Sequence, residues 1–172
     1  AFLDRELARH GLTDDRLAYE NPGWDMELIA ELSGVRRRRV AAPDESAFDL
    51  SLRACSDLGG DVDLGRIDAI LYCTQTPEHR MPGNSHLVHR ALDLPDRVLA
   101  LDIRLACSGF VYGLGLADSL LRSESAREVL LVCAETVSSM VDPHDRSVAP
   151  LFGDAAAAVH LVGGEGPGGH VV

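Results

Sequence analysis

From residue 66 onward, short and nearly uninterrupted apolar runs alternate with longer stretches of helical spacing. Ile67 to Cys73 is the first such run, and its bounded apolar character fits a strand buried on both faces. After a loop holding Pro77 and Pro82, Asn84 to Leu92 places Leu87, Val88, Ala91 and Leu92 at helical spacing, and Pro95 ends it. Val98 to Ile103 predicts a second strand. Ser108 to Leu121 then predicts a helix with Phe110, Val111, Leu114, Ala117, Leu120 and Leu121 along one stripe. Glu128 to Ala134, almost wholly apolar, fits a central parallel strand, and Ala155 to Val162 a further one after an irregular connection at 138–150.

Upstream, helices are expected at Phe2 to Arg9, Met26 to Leu32 and Ser46 to Leu58, with Ser46 as N-cap of the last. The pattern predicts an α/β architecture with a mostly parallel sheet and helices against it, built from consecutive βαβ crossovers. Three segments follow: entrance helices and a basic run at 1–65, a βαβαβ core at 66–162, and a linker at 163–172. The glycines of 163–169 follow a strand but open no helix, so they carry no dinucleotide-binding fingerprint.

With 172 residues and 46% hydrophobic positions, the chain holds enough apolar material for one sizeable core. No apolar run approaches the roughly 20 residues that cross a bilayer, so no membrane partner is expected and a cytoplasmic location is the default. A net charge of −11 argues against nucleic acid as a partner, although Arg36, Arg37, Arg38 and Arg39 form a compact basic run. On its own that run reads as a solvated segment.

The four cysteines, Cys55, Cys73, Cys107 and Cys133, include no CxxC pair, which argues against a zinc site and against a disulfide framework. Cys107 differs from the rest by its place at a strand-to-helix junction. There it meets unpaired backbone amides and the positive end of the helix dipole, both of which favour thiolate. Ser108 and Gly109 keep the turn small, which leaves room for a thioester carbonyl and puts amide donors near a developing oxyanion. Acyl transfer through a thioester fits this arrangement, with a small-residue packing junction as the plainer reading.

The stretch DIRLACSGFVYGLGLADSLL resembles the active-cysteine segment of the ketoacyl-ACP synthase III family, through Ala106, Cys107, Ser108, Gly109 and Phe110. The resemblance continues in VLLVCAETVSSMVDPHDRSVAPLFGDAAAAVHLV, with a loop ending in Asp-Arg and a turn formed by Phe152, Gly153 and Asp154. GVRRRRVAAPDE, from Gly34 to Glu45, is similar to the family's basic segment leading to an Ala-Pro pair. The resemblance implies the N-terminal βαβαβ half of a thiolase-like fold. It also implies that Cys107 takes an acyl group from coenzyme A or a carrier protein.

In that family a histidine and an asparagine of the second half assist condensation, and no segment here is similar to either motif. The resemblance therefore implies a C-terminal half, on the same or another chain, and a homodimer of the complete fold. A half-fold would expose a large apolar face. Met81, beside Pro82, falls where the family often has a residue lining the acyl tunnel. Ordinary packing is the alternative.

Leu28 and Leu32 stand where the family commonly has a tryptophan and an arginine for the adenine end of coenzyme A. Trp24 fills that role only if the helix shifts by about one turn of 3.6 residues. This departure favours acyl carrier protein over acyl-CoA as donor. Arg36 is then the candidate contact for a phosphopantetheine phosphate or an acidic carrier surface.

No cofactor is implied, coenzyme A and phosphopantetheine entering only as substrate carriers. His86 and His89 share a helical face but lack a third ligand, and Asp142, Asp145 and Arg146 read as loop braces. His160 and His170 lie in the wrong context for the family's histidine. A non-catalytic partner subunit, with Cys107 an inherited core residue, is the competing function.

Overall fold

The computed structural model describes residues 21–58, 62–164 and 170–171, so the helix expected at Phe2 to Arg9 lies outside the described residues. The elements are α1 (Met26–Ser33), α2 (Ala47–Asp57), β1 (Ala69–Cys73), α3 (Asn84–Ala91), β2 (Leu99–Ile103), α4 (Gly109–Arg122), β3 (Glu128–Thr136), β4 (Asp154–Val162) and β5 (His170–Val171). Each expected element among the described residues is present within about two residues. The chain divides into two compact units, Ala1–Ser46 with Thr136–Ala155 and Ala47–Glu135 with Ala156–Val172.

In the second unit the sheet runs β2-β1-β3-β4-β5. β1 pairs in parallel with β2 on one side and with β3 on the other, which makes it central and explains why every one of its residues is buried. Its side chains alternate between two cores. Ile70 and Tyr72 join Leu130, Val132, Ala47, Cys55 and Val88 on the face covered by α2 and α3. Ala69, Leu71 and Cys73 join Val129, Leu131 and Ala117 on the face covered by α4. An α/β layered fold results, as the sequence pattern predicts.

Three details depart from the sequence expectation. α2 contributes Ala47 and Cys55 to the sheet's core and belongs with the second unit, not with the entrance segment. His170 and Val171 pair antiparallel with Val162 and Leu161, so the segment read as a linker carries a strand. Finally, α4 buries Gly109, Gly113 and Ala117, whereas Phe110, Val111 and Tyr112 are exposed. A stripe of small residues lets this helix lie close to the sheet: a Cβ on Gly113 would come within 2.7 Å of Leu131 Cδ1. Leu114, Leu116, Leu120 and Leu121 pack against this core from its margins, while the large side chains of the first turn stay exposed. Among the described residues no helix is long and apolar enough to cross a membrane.

In the first unit, Asp25 caps α1 by accepting from the Leu28 amide at 3.0 Å, and Gly34 closes it in a left-handed conformation (φ 76°) with its amide on the Ala30 carbonyl. The arginine run follows this turn.

Candidate functional site

The parallel strands of the second unit deliver their connecting loops to one edge of the sheet, the place where open α/β sheets bind ligands. Cys107 stands there, in the turn 104–108 between β2 and α4, and its side chain is exposed. It lies two residues before the helix proper. Ser108 is the N-cap but makes no side-chain capping bond, and the Gly109 amide bonds back to the Ala106 carbonyl at 2.9 Å. Gly109 is buried over Cys73, and a Cβ there would touch Cys73 Cβ at 3.5 Å. The chain thus passes from strand to helix close above β1.

The loop after β1 reaches the same edge and holds Met81, which is 86% exposed, followed by a cis peptide to Pro82. Arg104 ties this loop to the Cys107 turn by donating to the carbonyls of His79 and Arg80 at 3.3 and 3.4 Å. Two carboxylates anchor the loop's ends. Glu135, at the end of β3, accepts from the Gln75 amide at 2.9 Å and from the hydroxyls of Thr74 and Thr76. Asp102 on β2 accepts from the Asn84 and Ser85 amides at 2.9 and 2.8 Å, which caps α3 from a neighbouring strand. Gly83 is required beside it, because a Cβ would collide with the Asp102 carboxylate.

Sequence reasoning missed both anchors. A carboxylate that caps a helix from a distant strand leaves no local signal, unlike Asp25, which precedes the helix it caps.

Trp24 and Arg36 belong to the first unit. Trp24 is half-buried and precedes the Asp25 cap of α1, while Leu28 on the helix is exposed. Arg36, Arg37 and Arg39 are exposed, whereas Arg38 is half-buried and donates to the Phe152 carbonyl at 3.3 Å. The Phe-Gly-Asp turn holds this segment from beneath. Asp154 is buried; its carboxylate accepts from the Ala41 amide at 2.7 Å and from the Ser138 amide at 2.8 Å, and its own amide donates to the Arg39 carbonyl at 2.7 Å. Gly153 lies so close that a Cβ would fall 2.6 Å from that carbonyl.

The remaining polar candidates are structural. His89 reaches the Pro95 carbonyl at 3.1 Å, and His86 faces Ser85. His160 is buried against Glu128 at 3.0 Å, and Glu128 also pairs with Arg66. Asp142 accepts from the His144 amide. Asp145 accepts from the Ser147 amide and hydroxyl, and those bonds pull its pKa down.

A family model described as 3-oxoacyl-(acyl-carrier-protein) synthase III matches residues 101–172, the stretch holding the Cys107 turn and the Phe-Gly-Asp turn. A curated beta-ketoacyl-(acyl-carrier-protein) synthase III of Alkalilimnicola ehrlichii is 38% identical over 167 residues, which is 96% of this chain and 50% of the relative. The chain is similar to the 3-oxoacyl-ACP synthase III family over nearly all of its length. Among solved members, the 3-oxoacyl-(acyl carrier protein) synthase III of Pseudomonas aeruginosa superposes with a TM-score of 0.82 at 39% identity, covering 92% of this chain and 50% of that one. The priming β-ketosynthase of the R1128 polyketide pathway gives 0.77 at 32% identity, covering 84% and 44%. The chain spans about half the length of the synthase III relatives it matches, in keeping with the N-terminal half that its motifs imply.

Proposed function

We propose that this chain carries the acyl-accepting half of a synthase III-type enzyme, with Cys107 the nucleophile. The observation that carries the reading is the place of Cys107. It is an exposed thiol on the carboxyl edge of a parallel sheet, two residues before a helix that approaches the sheet through glycine. Its sulfur attacks the carbonyl carbon of a donor thioester, the carbon–sulfur bond to the donor breaks, and the donor thiol leaves with a proton. An α-helix leaves its first amides without internal partners, and such donors suit the oxyanion of the tetrahedral intermediate. Ser108 and Gly109 keep that approach open.

Coenzyme A or phosphopantetheine serves only as carrier of the acyl group, and no resident cofactor is needed. Arg36 contacts the donor's phosphate or an acidic carrier-protein surface, and Met81 borders the acyl site. The exposure of Leu28 and Leu32, with Trp24 off the helix, supports an acyl carrier protein donor over acyl-CoA. The complete site takes its histidine and asparagine from a C-terminal half, and the complete fold is a homodimer. The acyl-enzyme then serves condensation or acyl transfer in fatty-acid, polyketide or specialised biosynthesis.

Intact-mass spectrometry of the full-length protein after incubation with short acyl thioesters on coenzyme A and on carrier protein tests this reading. The expected result is a single acyl adduct, absent in Cys107→Ala and formed faster from the carrier protein. No adduct from any donor, in protein shown to be folded, would instead identify the chain as a non-catalytic subunit.

A further inference from the structure

Two thiols that acyl transfer does not use stand opposite each other in the sheet. Cys73, the last residue of β1, and Cys133 of β3 are register partners in neighbouring parallel strands. Both therefore project from one face of the sheet, the face that α4 covers. Neighbouring strands lie about 4.8 Å apart, within the Cα separation of roughly 4.4–6.8 Å that a disulfide spans. Cys73 is buried and Cys133 half-buried, so an oxidant meets Cys133 first.

The environment separates the two sulfurs further. A hydrogen bond to Cys133, together with burial, pushes the Cys73 thiol far up, while the same bond pulls Cys133 down. Cys73 thus keeps its proton and Cys133 is the better thiolate. Cys73 Sγ also lies 3.3 Å from the Gly109 carbonyl, at the first residue of α4, in the space that Gly113 leaves open. This thiol is the floor under the turn that carries Cys107.

We propose that Cys73 and Cys133 are a redox-active dithiol, which a peroxide closes to a disulfide and which in closing withdraws the floor from beneath the Cys107 turn. The Cys133 thiolate attacks one peroxide oxygen, the oxygen–oxygen bond breaks and hydroxide leaves, taking from solvent the proton that Cys133 released on ionising and so departing as water, with Cys133 oxidised to a sulfenic acid. Cys73 sulfur then attacks the Cys133 sulfur and expels hydroxide, which takes the Cys73 proton and departs as a second water. Two thiols and one peroxide yield one disulfide and two waters. The contact between Cys73 Sγ and the Gly109 carbonyl is lost as the sulfur is drawn toward β3.

The consequence for Cys107 rests on the functional reading above; the disulfide itself does not. The test uses full-length protein carrying Cys107→Ala, treated with hydrogen peroxide and digested without reductant. The expected product is a linked peptide pair containing Cys73 and Cys133, two hydrogens lighter than the separate thiol peptides. It should vanish with dithiothreitol, in Cys133→Ser and in Cys133→Ala. Oxidation of either cysteine without the link, or no oxidation, overturns the dithiol.

In protein retaining Cys107, alkylation of Cys107 by iodoacetamide after peroxide removal should slow on the order of tenfold more than in identically treated Cys133→Ser. It should recover on reduction. The Cys133→Ser comparison removes whatever arises from oxidation of Cys107 itself. A link that forms without that difference overturns the coupling. Neither arm uses an acyl thioester, so failure of the acyl-transfer reading would show in the mass experiment and leave these outcomes standing.

Discussion

The buried Asp154 carboxylate accepts the Ala41 amide at 2.7 Å, and through that bond the Phe-Gly-Asp turn holds the backbone just after the arginine run. The same carboxylate takes the Ser138 amide and hydroxyl, so one side chain joins two loop segments. Its removal leaves three half-buried donors without their acceptor.

Asp154→Ala should therefore cost about 3 kcal/mol or more, since bonds to a charged acceptor contribute roughly 1.5–3 kcal/mol each. Asp154→Asn keeps one acceptor oxygen and should cost less. Urea denaturation of both variants checks the order. Equal and negligible losses would show that the Ala41 and Ser138 amides find other acceptors.

Gly113 and Gly115 make a matched pair on α4. A Cβ at Gly113 meets Leu131 Cδ1 at 2.7 Å, while one at Gly115 meets nothing within 4 Å. Gly113→Ala should cost about 1–3 kcal/mol by overpacking. Gly115→Ala should stabilise by roughly 0.5–1 kcal/mol through helix propensity. Thermal melts of the two variants should move in opposite directions.

This contrast also marks what could be read in the sequence. The strands were legible because β1 and β3 are apolar on both faces, and the helices because their spacing and stops were regular. The orientation of α4 was legible only in part. Leu114, Ala117, Leu120 and Leu121 of the predicted stripe do face the core, but in the first turns Gly109 and Gly113 take the packing positions and Phe110 and Val111 are exposed. The place of Cys107 in the turn between strand and helix was legible from the pattern on either side. The Asp102, Glu135 and Asp154 anchors were not, because each joins segments far apart in the chain. Nor was the facing of Cys73 and Cys133, which depends on strand register.

Two buried acids, Cys55 and Tyr72, contribute to a loss of stability at alkaline pH. Burial pushes Cys55 from 9.0 up to about 11. Burial likewise pushes Tyr72 from 10.0 up to about 12, against the opposing hydrogen bonds of Ser51 and Asn84. In both, the unfolded chain loses its proton first, so above pH 9 the unfolded state binds fewer protons and stability falls as pH rises. The contribution is whole below pH 9 and is lost progressively up to about pH 12. Each group accounts for about 2–3 kcal/mol at one pKa unit per 1.36 kcal/mol. Urea midpoints from pH 8 to pH 11 should drop, and Cys55→Ala should flatten the portion between pH 9 and 11. A flat profile in the unsubstituted protein would mean that neither proton is held.

Arg36 and Arg38 separate binding from folding within one basic run. Arg38 is half-buried and bonded to the Phe152 carbonyl, whereas Arg36 is exposed. Arg38→Ala should lower stability by about 1 kcal/mol, the net worth of a typical hydrogen bond with some lost packing. Arg36→Ala should leave the melt unchanged and raise the KM for an acyl carrier protein donor several-fold at low salt. That difference should shrink as added salt screens exposed charges beyond about 10 Å at 0.1 M. Because Arg36 lies outside the reacting thiol, kcat should hold while KM moves. An unchanged KM at low ionic strength, with the adduct on Cys107 intact, would remove Arg36 from the donor site and leave the run as a solvated segment held in place by Asp154.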